Sequence, residues 1–140
     1  MFIKQLSVFV ENKHGRLQAI IDSLSENGVN ISALSIADTT DFGILRMIAD
    51  DNEKAKKVLK DAGVISTSTD VIAVYIDDRT GGLANVLRLV TDAGISIEYM
   101  YAFLGRKEGK ALMVLKADDE EKAETVLAEN GVALADANEI

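Results

Sequence analysis

Two short stretches of the chain carry residues whose types and spacing suit anion recognition. The first is Asn12-Lys13-His14-Gly15-Arg16-Leu17, the second Asp78-Arg79-Thr80-Gly81-Gly82-Leu83. Gly15 and Gly81 lie 66 positions apart, and much of the surrounding chain matches at that shift. Each stretch follows a strand-like run and precedes apolar residues of helical spacing. The first N–H groups of a helix have no partner inside it, and the macrodipole adds partial positive charge there. A carboxylate or phosphate docks readily at such a point. Glycine lets the backbone turn with positive φ and lets a ligand approach closely. Asn12 and Asp78 can order the loop as an Asx turn or accept a hydrogen bond from an ammonium. The same residues have a plainer use. A glycine between strand and helix is most often a turn glycine, with Asn12 and Asp78 as caps. A duplicated fold duplicates its turns, so recurrence alone does not choose between these readings.

The elements that hold the two stretches repeat as well. "FIKQLSVFV" alternates, with Phe2, Leu6, Val8 and Val10 on one face and Lys4 as an interruption. Leu17, Ile20, Ile21 and Leu24 then form one helical stripe, stopped by Gly28. "VNISALSIA" reads as a strand, "TTD" as a turn and "FGILRMIA" as a third strand. Asp51 or Asn52 caps a second helix with stripe Ala55, Val58, Leu59 and Ala62, closed by Gly63, and "VISTS" is a short last strand. The second copy follows the same order. Ile72, Val74 and Ile76 alternate, and Leu83, Val86, Leu87 and Val90 form the stripe before Gly94. "ISIEYMYAFL", a turn at "RKEGK" and "ALMVLKA" come next. Asp119 then caps a helix bearing Ala123, Val126 and Leu127, and "VALAD" ends the unit. Each unit is βαββαβ, the ferredoxin-like plan of an α+β fold, with both helices on one face of an antiparallel sheet. The expected domains are 1–69 and 70–140, with no Pro/Gly/Ser-rich linker between them and "STSTD" as the only candidate for one. Two such sheets paired side by side would make eight strands.

Composition narrows the function. The chain has 140 residues, 48% of them hydrophobic, and a net charge of −8. An acidic chain repels nucleic acid phosphates and anionic lipid heads, so neither nucleic acid nor membrane is an expected partner. Cysteine is absent, which removes disulfides, thiolate metal sites and Cys nucleophiles and suits a reducing compartment. No secretory signal or membrane-length apolar run is read, and a cytoplasmic location is expected. His14 is the only histidine and cannot make a metal site alone. No metal, cofactor or catalytic set is read.

The strand followed by "ENKHGRLQAIIDSLSENGVNI", and again "DDRTGGLANVLRLVTDAGISI", resembles the ACT domain. The family's pattern is an apolar strand, an Asn or Asp, a short loop to Gly and Leu, a helix, and Gly-x-Asn-Ile-like residues opening the second strand. Gly28, Asn30 and Ile31 match that last part, as do Gly94, Ser96 and Ile97. The family often has Pro before the loop glycine, where this chain has His14 and Thr80.

The resemblance implies a non-catalytic regulatory module that binds a free amino acid. ACT domains pair through their second strands, and the ligand sits between the elbow of one domain and the second strand of its partner. By position, the implied ligand-binding residues are Asn12, Lys13, His14, Gly15, Arg16 and Leu17 with Asn30 and Ile31. In the second copy they are Asp78, Arg79, Thr80, Gly81, Gly82 and Leu83 with Ser96 and Ile97. Gly82 removes a side chain and would open room, and Asp78 suits an ammonium, so the second elbow is preferred. Tyr99 and Tyr101 would line the pocket or pack on the sheet.

If the helix-free face holds Ile3, Phe9, Ile44, Ile48, Tyr75, Met113 and Leu115, it is more apolar than a solvated face should be. A second subunit is expected to cover it, making a homodimer. A freestanding sensor also needs a separate metabolic enzyme to report to. Two other functions stay open: a small phosphate-ester or acyl-phosphate enzyme using Arg16 or Arg79 with Asn30, and a protein-interaction module without a small ligand.

Overall fold

The computed structural model describes residues 2–38, 41–105 and 107–140, with the Asp38 side chain outside the description. Thr39 and Thr40 of the expected first turn, and Arg106 of the second, therefore lie outside the described residues. Two compact units form. One is Lys4–Thr69; the other is Asp70–Ile140 together with the chain start through Ile3.

The first unit begins with β1 (Ile3–Glu11), α1 (Arg16–Glu26), β2 (Ile31–Asp38), β3 (Phe42–Ala49) and α2 (Asn52–Asp61). β3 lies antiparallel between β1 and β2. The chain then returns beside β1, where the Phe9 N–H donates to the Ile65 carbonyl at 3.4 Å. Leu6, Val8 and Val10 of β1 meet Leu45 and Met47 of β3 and, from the helices, Ile20, Leu24, Ala55 and Leu59. Both helices thus press on one face of the sheet, as period-2 strands and 3.6-residue stripes require. Leu17 departs from its stripe and is exposed.

The second unit contains the rest of β4 (Ser66–Asp77), then α3 (Gly82–Asp92), β5 (Ile97–Ala102), β6 (Lys110–Ala117), α4 (Glu120–Glu129) and β7 (Leu134–Ala135). In this unit β4 pairs with β6 and with β7, and β6 pairs with β5, all antiparallel. Ile72, Val74 and Ile76 pack with Leu115, Ala117, Val86, Val90, Ala123 and Leu127. A 3-10 turn at Ala137–Glu139, absent from the sequence reading, closes the chain. It is tied back by the Tyr75 hydroxyl, which donates to Glu139 Oε2 at 2.8 Å.

Three differences from the expected pattern have physical causes. The strand expected at "VISTS" and the opening strand of the second copy are one continuous β4, so the named strands among the described residues number seven. The polar "STSTD" stretch is strand, not linker. Met113 and Leu115, expected on the helix-free face, pack in the second core. They stand opposite Val74 and Ile72 in the ladder, and directly paired residues share a face. Val114 takes the helix-free side instead. Ile48 does lie on the helix-free face of the first unit, and Ile3 belongs to the other unit, but each is only 3% exposed within the single chain. No second subunit is needed to remove those two from water.

The second helix of each unit is capped as expected. Asp51 and Asp119 accept from the Lys54 and Lys122 N–H groups, at 3.1 and 3.0 Å. Asp51→Ala and Asp119→Ala are each expected to cost about 1 kcal/mol. The check is a lower urea midpoint at unchanged slope.

Candidate functional site

Both elbows are built by the same succession of backbone bonds. In the first, the Asn12 N–H donates to the Asp41 carbonyl at 3.1 Å, Lys13 to Glu11 at 2.8 Å, and Arg16 to Lys13 at 3.2 Å. Gly15 then turns with φ of 81°, and its carbonyl accepts from the Ala19 N–H at 3.0 Å to open α1. In the second, Asp78 donates to Gly109 at 3.1 Å, Arg79 to Asp77 at 2.9 Å, and Gly82 to Arg79 at 3.0 Å. Gly81 turns with φ of 87°, and Asn85 bonds back to it at 3.0 Å.

Neither α1 nor α3 has a side-chain cap. The reading of Asn12 and Asp78 as helix caps is therefore overturned. The elbow itself uses one orphan amide per helix, that of Arg16 or Gly82. Among the described residues, the next amides, Leu17 and Gln18 in one elbow and Leu83 and Ala84 in the other, are left without an intrahelical acceptor. A Cβ built on Gly15 or Gly81 would meet nothing within 4 Å, so open space faces both turns.

Gly82 behaves differently. It is buried, and a Cβ there would collide with the backbone carbonyl of Asp77. Its missing side chain lets the helix start close onto the strand end. It does not open room for a ligand, as the sequence reading had it.

The sequence reading missed the acid at the end of each first strand. Glu11 pairs with Lys13 at 3.1 Å and with Arg16 at 3.4 Å. Asp77 pairs with Lys110 and, at 3.6 Å, with Arg79. The signal was present as Glu11-x-Lys13 and Asp77-x-Arg79, an acid followed two residues later by a base in both copies. Lys13, and then Arg16, hold the Glu11 carboxyl below its ordinary range. Lys110, and more weakly Arg79, do the same for Asp77.

His14 and Thr80 are exposed loop residues, and Leu17 and Leu83 both stand exposed on the first helical turn. Asn30 and Ser96 lie just ahead of β2 and β5. Their N–H groups donate to Asp50 and Asp118 carboxylates, both at 3.1 Å, and their carbonyls accept from the same two residues' amides at 3.0 Å. Ile31 and Ile97 are half-buried against their own cores.

The register separates these residues from the elbows. Glu11 stands opposite Phe42, at the start of β3, whereas Ile31 stands opposite Ala49, at its end. In the second unit Asp77 faces Lys110 and Ile97 faces Ala117, the two ends of β6. At ~3.4 Å per residue the ends lie roughly 24 Å apart. No unit therefore brings its own elbow to its own second-strand start, and Arg16 cannot act with Asn30, nor Arg79 with Ser96, inside one unit. Tyr99 and Tyr101 stack on each other at 6.5 Å on the helix-free side of β5. Among the described residues no cluster of three or more His, Asp or Glu could hold a metal, and no helix is long and apolar enough to cross a membrane.

The duplicated elbow agrees with the match of residues 1–140 to the model of the ACT domain pair. The chain belongs to the ACT domain pair family. The protein BT0572 from Bacteroides thetaiotaomicron has a similar structure, with a TM-score of 0.92 and 41% identity over 98% of this chain and 94% of that one. The ligand-free regulatory subunit of aspartate kinase from Thermus thermophilus shares the fold, with a TM-score of 0.66 and 15% identity over 90% of each chain. The corresponding subunit from Thermus flavus has a TM-score of 0.61 at 15% identity, again over 90% of each chain. No curated protein sequence matches the chain.

The geometry of this ACT pair gives two expectations. Gly81→Ala forces alanine into a left-handed turn and should cost about 1–2 kcal/mol. Gly82→Ala should cost more, since a backbone carbonyl must move; urea midpoints rank the two. A carboxyl whose folded pKa is lowered contributes stability above its unfolded pKa, and that contribution fades as pH falls through the folded value. Asp77→Asn is therefore expected to lower the thermal midpoint at neutral pH, and the gap between the two proteins should shrink as pH falls through the lowered folded pKa of Asp77.

Proposed function

We propose that this ACT pair is a non-catalytic regulatory protein that binds a free amino acid and reports it to a separate metabolic enzyme. Residues 1–69 and 70–140 are taken as its two ACT domains. The observation that carries the reading is the pair of open glycine turns, each leaving uncapped first-turn amides, in a chain that matches the ACT pair throughout. Those amides suit a carboxylate. In this reading Asn12 or Asp78 helps hold the ammonium, and the wall beyond selects the side chain.

The fold neighbours that are regulatory subunits of aspartate kinase support a regulatory use. The ligand is proposed to sit where one domain's elbow, Asn12 to Leu17 or Asp78 to Leu83, meets the second-strand start of a paired domain, Asn30–Ile31 or Ser96–Ile97. The separation of these residues within each unit favours that arrangement over a site inside one unit. The pairing domain belongs to the same chain or to a second copy, and a homodimer is part of the proposal. The elbow of Asp78 is the preferred one, now on its charge alone.

A melting screen against the twenty amino acids tests the reading. A ligand at about a hundred times its Kd adds about 2.7 kcal/mol of stability, a rise of several degrees. One or a few amino acids should give that rise, and Gly81→Ala should reduce it. Flat midpoints across all twenty would remove the proposal.

A further inference from the structure

An apolar cleft of about 400 Å³ opens in the first unit. It lies between the start of α1, the end of β1 and the segment joining α2 to β4. Its walls include Phe9, Ile20, Phe42 and Val64, with Arg16 and Glu11 beside them. We propose that this cleft binds a small carboxylate with an apolar aliphatic or aromatic body, held by the Arg16 guanidinium. The site shares Arg16 with the first elbow but lies beyond it, toward the segment joining α2 to β4, and does not require an amino acid bound at the elbow.

The volume falls in the range of small-molecule sites, and so does the pattern of apolar walls with few polar groups. Phe9 and Phe42 meet edge to face at 6.0 Å and are 49% and 43% exposed. Ile65, 72% exposed, stands with them. Large apolar side chains left in water together mark a surface that expects an occupant.

The charges select the occupant. Glu11 has two cationic partners, Lys13 at 3.1 Å and Arg16 at 3.4 Å. Arg16 can turn to a ligand carboxylate while Glu11 keeps Lys13, so no charge is stranded. Beyond Gly63, Val64 and Ile65 a shallower groove carries Lys56, Lys57 and Lys60 against the single acid Glu53. In a chain of net charge −8 this is a locally cationic region, and it draws an anion.

The second copy supplies an internal comparison. At the 66-residue shift, Ser23 of the cleft becomes Leu89, which packs against the second core. Arg16 becomes Gly82. The residue that leaves room and the residue that carries charge are both replaced. One fold, duplicated, keeps this cleft's two chemical features only in the first copy.

The test is titration of the full chain with 3-phenylpropionate and with the neutral 3-phenylpropan-1-ol, followed by amide NMR. Saturable shifts are expected at Ser23, Gly63 and Val64, with the acid bound about tenfold more tightly than the alcohol, the effect of one charge-assisted contact. Ser23→Leu, which installs the second copy's leucine, should weaken the acid by at least about tenfold. Arg16→Gln should remove the acid's advantage and leave the alcohol unchanged, and as an exposed substitution it keeps the test open if Ser23→Leu does not fold. Shifts confined elsewhere, equal affinity for acid and alcohol, or an Arg16→Gln protein that still prefers the acid would each overturn the proposal. So would concentration-dependent shifts at the cleft without ligand and a sedimenting dimer, which would make a second copy the occupant. Gly81→Ala in the amino-acid screen reports on the Asp78 elbow, whereas Ser23→Leu reports on the cleft, so failure of one proposal is told apart from failure of the other.

Discussion

The left-handed turn at Gly15 and Gly81 governs the rest of this structure. It takes a strand end directly into a helix start without a capping side chain. A residue with a Cβ would resist that φ, and a side-chain cap would fill the space before the first turn. With neither present, the helix opens to solvent through its amides. The same turn swings the strand-end acid, Glu11 or Asp77, against a base two residues later. Polarity and backbone donors are thus set together, by one glycine, in each unit. Gly82 adds a second constraint in the second copy. It allows the helix start to sit on the Asp77 carbonyl, where any side chain would force them apart.

The helices and their ends were legible because period and punctuation agree there. Ile20 with Leu24 and Val86 with Val90 stand on the expected stripes, and Gly28, Gly63, Gly94 and Gly131 all take positive φ at helix ends. The strands were legible in number of turns and order but less so in extent. "STSTD" is polar, with Thr67, Ser68 and Asp70 exposed, while its backbone is extended strand; local composition reports the first fact and hides the second. The misplacement of Met113 and Leu115 shows how little is needed to go astray. A one-residue slip turns every side chain of a strand to the other face. Close approach of backbone to backbone, as at Gly82, leaves no trace in composition. The loop residues were found as types, but their separation from Asn30 and Ser96 is a property of register, which a single strand does not carry.

The two copies have diverged where it matters for chemistry, not for folding. Backbone bonds at the elbows match step for step. The side chains on them do not: Arg16 against Gly82, Asn12 against Asp78, Ser23 against Leu89. Phe9 and Tyr75 occupy equivalent places, yet the Tyr75 hydroxyl ties down Glu139 and Lys107 sits 5.2 Å over its ring, whereas Phe9 stays half in water beside the cleft. The second unit has spent these positions on packing and on fixing its C-terminal turn. The first has left them open.

The register also constrains how an ACT pair of this kind could signal. An elbow and its own second-strand start stand at opposite ends of a sheet, too far apart for one small zwitterion. A ligand that touches an elbow and a second-strand start must therefore bridge two units or two chains. Such a ligand has its full set of contacts in the paired arrangement and only half of them in any other. Unequal affinity for two arrangements is the whole thermodynamic requirement for a ligand to shift an equilibrium between them. By linkage, whatever stabilises the pairing, a partner enzyme included, must raise affinity for the ligand by the same factor. In the proposed reading, then, sensing needs no flexible lid or catalytic step. It follows from placing the carboxylate-binding amides and the second-strand contacts at opposite ends of the same sheet.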